Sequence, residues 1–262
     1  VMIQQAMASI VTSLQATWVT QLVAVAQVSI TLYIVVVGYS VYAGKIQTPF
    51  KDLLWNLAKF GLILAFISNA GGYLTLVNEA IDGLKGFFAG GNNSFSLLDG
   101  KLEAVTNEGK KIWKSASGIK DSVIAVFRLT GLLPLLLGFL TAGAMLIYTE
   151  ITLKILIATA PIFIFCLMWG FLRDSFNNWL SAIISNCLII LFTNVTMQVG
   201  FMLAAEAVKY NKDFLVPLVM FVSAGVLTMM SVKWGREMAL NIGRVSVDAG
   251  IGGKSTTSIA ER

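Results

Sequence analysis

Ile3, Met7, Ile10, Leu14 and Trp18 recur at helical spacing, with Gln4, Gln5, Ser9, Ser13 and Gln15 between them. That periodicity predicts an amphipathic helix over 1–21 whose polar face carries no charge. A helix lying on a membrane surface usually presents Lys or Arg there, so this one suits a partner, a sister subunit or a shallow place on a leaflet. From Leu22 to Ala43 the chain is almost wholly apolar. At about 1.5 Å per residue this segment is about 33 Å long, which matches a hydrocarbon core of about 30 Å. Tyr39, Tyr42 and Lys45 close it in the manner of an interfacial aromatic belt. Leu53 to Ala70 predicts a second span, opened by Trp55 and ended by Gly71 and Gly72, so that 22–70 forms a two-span hairpin. Lys59 lies about two turns inside it, and either snorkels to the near interface or lines a pore.

The pattern then changes. Leu74, Val77, Ala80, Ile81, Leu84 and Phe88 form one face of a helix, and Asn78, Glu79, Asp82 and Lys85 form the other. A turn-rich stretch, Gly90 to Ser94, leads into a charged segment with enough apolar residues (Leu102, Val105, Ile112, Trp113, Ile119) to fold rather than stay disordered. Residues 71–128 are therefore expected to be a central extramembrane helical segment. From Leu129 to Leu172 only Glu150 and Lys154 interrupt the apolar run. It is long enough for two spans, and the charged pair stands at i,i+4 with Glu leading, the better order for a helical ion pair. It either marks a tight hairpin at the surface or lies within one long helix. Pro161 is expected to kink or break the second half of the run. Arg173 to Asn178 reads as a short polar link flanked by Trp169 and Trp179. Trp179 to Val199 and Phe214 to Val232 complete the membrane helices of 129–236. The tail, 237–262, is Gly- and Ser-rich after Gly243 and is expected to be poorly ordered. The class is all-α: a polytopic membrane protein of five or six transmembrane helices, with an amphipathic N-terminal helix and a central extramembrane segment.

Composition sharpens this. The chain is 56% hydrophobic and 13% charged, with no charged residue before Lys45 and none from Asn177 to Ala205; a soluble domain carries about 25% charged residues. There is no His, which excludes imidazole chemistry, and Cys166 and Cys187 lack metal-cluster or disulfide-framework spacing. No catalytic residue, metal or cofactor is expected. The N-terminus has no basic n-region and does not read as a cleavable signal peptide. The net charge of +5 reports mainly on loops and topology.

Small residues at four-residue spacing allow close helix approach in lipid, and Ser40 with Gly44, Gly61 with Ala65, Ser68 with Gly72 and Gly200 with Ala204 are candidates. Asn186, Asn194 and Gln198 fall in one apolar helix and must meet partners or water. They make interhelical hydrogen bonds within one subunit, or they mark a subunit interface or a wetted pore wall. Six spans would place both termini with the central segment in the cytoplasm. An odd number would give an outside N-terminus, an inside C-terminus and an outside central segment, which positive-inside counting tolerates for a long loop. Charge alone does not choose.

The run from Ile155 to Leu188, ILIATAPIFIFCLMWGFLRDSFNNWLSAIISNCL, resembles the TrbL-like family, the polytopic inner-membrane subunit of type IV secretion and conjugation systems and sixth component of the VirB operon. The shared features are a helix with Ala-Pro-Ile-Phe, a Trp and an Arg near its end, a polar link, and Trp179 opening a long apolar helix. Pro161, Trp169, Arg173 and Trp179, with Glu150 and Lys154, are then helix-junction or interface residues. The resemblance implies a bacterial inner-membrane protein with a periplasmic N-terminus, a periplasmic segment 71–128 and a cytoplasmic tail. It implies a homo-oligomeric ring at the base of the pilus or stalk, supporting pilus assembly and DNA or protein passage. The partners implied are membrane lipid, bitopic assembly factors, major and minor pilins and secretion ATPases. Substrate in transit would meet the central segment, making Lys101, Lys110, Lys111, Lys114 and Lys120 candidate contacts; a basic surface facing solvent or headgroups is the alternative. Asn186, Asn194, Gln198 and Lys59 are the inter-subunit or pore-lining candidates.

Competing functions are weaker. A secondary transporter would use an intramembrane carboxylate such as Glu150, and no internal repeat supports it. An intramembrane hydrolase would need His or clustered acids in its spans. A holin-like pore would need neither this length nor a folded central segment. With no GxxxxGK[ST] loop in the chain, a non-enzymatic secretion scaffold or channel component, driven by partner ATPases, is the expectation.

Overall fold

A computed structural model describes residues 2–45, 49–69, 71–88, 94–114, 119–209 and 215–251. All elements among them are helical: α1 (Met2–Tyr42), α2 (Pro49–Ile67), α3 (Tyr73–Phe88), α4 (Ser94–Lys114), α5 (Ile119–Ala158), α6 (Ala160–Cys166), α7 (Arg173–Lys209) and α8 (Leu215–Ile251), with a 3-10 turn over Gly170–Leu172. Four stretches, Gln15–Tyr42, Leu129–Ala158, Gly170–Ala207 and Leu215–Arg244, are long and apolar enough to cross a membrane, and Leu53–Ile67 is a shorter apolar helix. The protein is all-α and polytopic.

Three boundaries differ from the sequence expectation and one left open is decided, each for a local reason. The amphipathic start and the first span are one helix, because a change from amphipathic to apolar pattern contains nothing that ends a helix. Of the two pictures for Glu150 and Lys154, the single long helix holds: α5 runs through both to Ala158. Arg173 to Asn178 is not a link but the opening of α7, with Asp174 in its first turn as the helix dipole favours. The true connection passes through Trp169, which is extended (φ −117°, ψ 123°) ahead of the 3-10 turn. Finally, α8 continues past Gly243 to Ile251, so only 252–262 of the expected loose tail lie outside the described residues.

The chain divides into two compact units. The first comprises Val1–Gly83, Thr152–Ile183 and Ser246–Arg262. Here α1, α2 and α6 pack on one another, with Ala26, Phe60 and Met168 buried among Ile30, Leu64 and Phe165. Tyr33 meets the Phe60 ring edge-on at 5.1 Å, and Trp169 lies 5.8 Å from Phe60. Such aromatic pairs contribute about 0.5–1.5 kcal/mol beyond area burial. Asn56 donates to the Tyr33 hydroxyl at 2.6 Å, which satisfies the phenol inside an apolar cluster. The connection to α3 turns through Asn69 (φ 54°), Gly71 and Gly72 (both φ 80°). The Asn69 carboxamide oxygen accepts from the Leu74 and Thr75 amides and so caps the first turn of α3.

The second unit comprises Leu84–Ile151 and Ile184–Val245. Its helices approach so closely that side chains are excluded. A Cβ at Gly225 of α8 would lie 2.2 Å from the carbonyl carbon of Pro134 in α5, and one at Gly200 of α7 would lie 2.3 Å from the Thr228 hydroxyl. Backbone contact of this kind supplies the dispersion and polar interactions that drive association where lipid competes on equal terms for apolar surface. Of the four small-residue pairs, Gly200 with Ala204 marks a packed crossing, whereas Gly44, Gly61 and Gly72 face open space. Gly225, at the tightest crossing, has Phe221 and Met229 four residues away on either side, so the four-residue spacing does not find it.

Candidate functional site

The most constrained place in the first unit is the break between α5 and α6. Pro161 has no N–H, so the carbonyl of Ile157, four residues earlier, loses its helical donor. In a hydrocarbon environment an unsatisfied backbone carbonyl costs several kcal/mol. Gln15 of α1 supplies the missing donor: its Nε2 reaches the Ile157 carbonyl oxygen at 2.7 Å. Gln15 is buried, and its carboxamide also faces that of Asn78 in α3, each amide nitrogen 3.4 Å from the other's oxygen.

The neighbouring carbonyl, Leu156, is met from the other direction. The Trp179 indole donates Nε1–H to it at 2.9 Å, and the Thr159 hydroxyl lies 3.1 Å from the same oxygen. Trp179 is held by stacking on Phe163 (5.8 Å, 17°) and by Phe176 at 5.5 Å. The break is thus clasped by polar groups from α1 and α7. Pro161 and Trp179 lie at this break, whereas Trp169 lies in the connection after α6, against Tyr33 and Phe60, and Arg173 opens α7.

Glu150 and Lys154 take partners on α3. The Lys85 ammonium pairs with Glu150 at 2.5 Å, in the second unit. Lys154 pairs with Asp82 at 3.4 Å, in the first. The i,i+4 spacing that suggested a pair along α5 serves instead to direct both charges toward the polar face of α3. Glu150 is buried, so it enters the interior with its counter-ion, as a buried charge must.

The remaining candidates scatter. Asn186 and Asn194 are buried within the second unit, whereas Gln198 is exposed. Lys59 is exposed, and its ammonium lies 5.4 Å from the Trp55 ring centre, directed toward the start of α2. Lys110, Lys111 and Lys114 are exposed on the last turns of α4, and the side chains of Lys101 and Lys120 are outside the described residues. Gln15 and Asn78 were not singled out by the sequence. The one local signal was the orphaned carbonyl that Pro161 implies, and it does not say which distant side chain answers it.

Comparison with known proteins adds the evolutionary frame. The family model for the TrbL/VirB6 plasmid conjugal transfer protein matches residues 30–234. The chain is 27% identical over 188 residues to the type IV secretion system protein VirB6 of Brucella abortus biovar 1 (strain 9-941) and to that of Brucella suis biovar 1 (strain 1330). The corresponding Brucella melitensis protein is 26% identical. Each alignment covers 64% of this chain and 53% of the relative, so the chain spans about half the length of the curated relatives it matches. Because the family model extends from the middle of α1 into α8, across both units and the clasped break, the chain belongs to the TrbL/VirB6 family.

Proposed function

We propose that this protein is a non-enzymatic inner-membrane scaffold or channel component of a type IV secretion or conjugation apparatus. It oligomerises at the base of the pilus or stalk and supports pilus assembly and the passage of DNA or protein. The observation that carries this reading is the family match over 30–234; the relatives' names as type IV secretion proteins support it. The chemistry is compatible with a scaffold. The buried polar groups of the junction are spent on backbone carbonyls and on one another, and the Glu150 carboxylate is held by Lys85. Transport would draw its energy from partner ATPases. The N-terminus and the central segment 71–128 face the periplasm, and the tail lies in the cytoplasm. Lys101, Lys110, Lys111, Lys114 and Lys120 offer a basic surface to substrate or partner, and Asn186, Asn194, Gln198 and Lys59 mark inter-subunit or pore-facing positions.

The test is deletion and complementation in the host. Loss of pili and of conjugal transfer or secretion, restored by the wild-type gene, is the expected outcome. Unchanged transfer in a strain verified to lack the protein overturns the proposal.

A further inference from the structure

Of the four long apolar stretches, Gln15–Tyr42 of α1 is the one least covered by its own chain: 6% of its apolar window is buried, against 33% to 44% in the other three. Ala26, Ile30 and Tyr33 turn one side of it toward Phe60 and Met168. Thr20, Ala24, Gln27 and Thr31, spaced i, i+4, i+7 and i+11, share a different face, and all four are exposed. Exposed apolar side chains such as Val28 and Val35 are at home against lipid. The Gln27 carboxamide is not. The Thr20 and Thr31 hydroxyls donate back to the carbonyls of Ala16 and Gln27 at 3.0 and 2.9 Å, whereas the carboxamide of Gln27 has no hydrogen-bond partner among the described residues.

Its depth does not hang on where the span begins. A hydrocarbon core of about 30 Å takes about 20 helical residues. The stretch has 28, so every placement of the core within it, from 15–34 to 23–42, includes Gln27. Even the last of these starts four residues before it, about 6 Å along the axis and more than the two methylenes of a glutamine reach. A primary amide left without a partner there is strongly unfavourable, because hydrocarbon offers neither donor nor acceptor.

We propose that this face of α1 docks on the α1 of a second copy of the chain, with the two Gln27 carboxamides hydrogen-bonded to each other inside the membrane. A carboxamide carries both donor and acceptor, so an identical group satisfies both. Copies inserted in the same orientation hold Gln27 at the same depth, and the two amides meet without a shift along the axis. Ala24 and Thr31, about one turn away on either side, are small enough to let two backbones approach. A water-filled wall would also satisfy an amide, but it would carry polar groups along its length, and the flanking Val28, Ile34 and Val35 are apolar. The contact gives the oligomer proposed above a surface, and it rests on that proposal.

Energy transfer between full-length chains in liposomes, labelled through Ser258→Cys in a background lacking Cys166 and Cys187 and diluted progressively with lipid, tests this. Gln27→Leu raises the protein-to-lipid ratio needed for half-maximal association several-fold, while its melt in detergent matches the wild type. Gln27→Asn, which keeps a carboxamide, raises it less. On oxidation in the membrane, Gln27→Cys forms a disulfide-linked dimer, whereas Val25→Cys, exposed at nearly the same depth on the opposite side of α1, does not. Association undiminished by Gln27→Leu overturns the proposal and leaves the oligomer to another face. Equal cross-linking at positions 25 and 27 overturns it too, whatever the melts show. No association of the wild type at any dilution removes the contact and the oligomer together. Reaction of Gln27→Cys in assembled chains with a charged, membrane-impermeant thiol reagent also overturns it, since the face would then line water.

Discussion

Gln15 and Pro161 are complementary across the first unit: the proline withholds a donor from the Ile157 carbonyl, and the glutamine, on α1, provides one at 2.7 Å. Gln15→Leu keeps the volume and removes the donor, leaving a buried carbonyl unsatisfied at a cost of about 1–3 kcal/mol. Pro161→Ala restores the N–H, so in that background Gln15→Leu should cost much less. Thermal unfolding in detergent of the two single variants and the double variant measures the coupling. Equal cost of Gln15→Leu in both backgrounds would sink the assignment.

Trp179 separates ring from donor. Trp179→Phe retains stacking on Phe163 but loses the hydrogen bond to Leu156, and is expected to destabilise by about 0.5–1.5 kcal/mol. Trp179→Leu loses both and should cost distinctly more in the same melt.

The Lys85–Glu150 pair has a definite order of effects. Lys85→Met leaves the buried Glu150 carboxylate without its cation, and about 1.5–3 kcal/mol of destabilisation is expected from the loss of a charged hydrogen bond. Adding Glu150→Leu should recover most of that loss, because replacing both members of a buried pair with apolar groups is often neutral. A double variant less stable than Lys85→Met would show that the carboxylate has a further partner.

Two glycine substitutions of identical chemistry should differ. Gly225→Ala drives a methyl group into the Pro134 backbone and is expected to cost about 1–3 kcal/mol as overpacking. Gly61→Ala meets nothing within 4 Å in the monomer and should fall within about ±0.5 kcal/mol. If Gly61→Ala instead lowers the oligomeric mass on blue-native gels without changing the melt, then α2 faces a sister subunit.

The proposed orientation is tested by single cysteines at Asn93, Arg173 and Ser258 in a background lacking Cys166 and Cys187. Positions 93 and 258 lie outside the described residues, so labelling supplies what the structure does not. Position 93 should react in intact cells, with 173 and 258 reacting only after lysis. Protection of 93 and 258 together would place both ends and the central segment on the cytoplasmic side, against the proposed topology.

Much of the helical layout was legible because its causes are local. Hydropathy over about 20 residues identifies a span whatever surrounds it, and Pro161 announces a break because its ring and missing N–H act on its own helix. The amphipathic face of α3 was equally readable, from Leu74 and Ile81 on one side to Asn78, Asp82 and Lys85 on the other. The purpose of that polar face was not readable. It looked like a water-facing surface, yet its amide and charges meet Gln15, Lys154 and Glu150. The same ambiguity hid the continuity of α5: Glu150 and Lys154 interrupt an apolar run as a surface hairpin would, and they are tolerated inside one helix because α3 supplies their counter-charges.

The sequence by itself determined the all-α class, most of the long apolar stretches and the site of the break, all of which follow from residue chemistry within a few turns. Tertiary structure decided which donors reach the carbonyls freed beside Pro161, which glycines lie at crossings and which cations meet the carboxylates. Those outcomes rest on pairs as far apart in sequence as Gln15 and Ile157. A satisfied hydrogen bond or a close backbone contact depends on distance in space, and local periodicity carries no record of it.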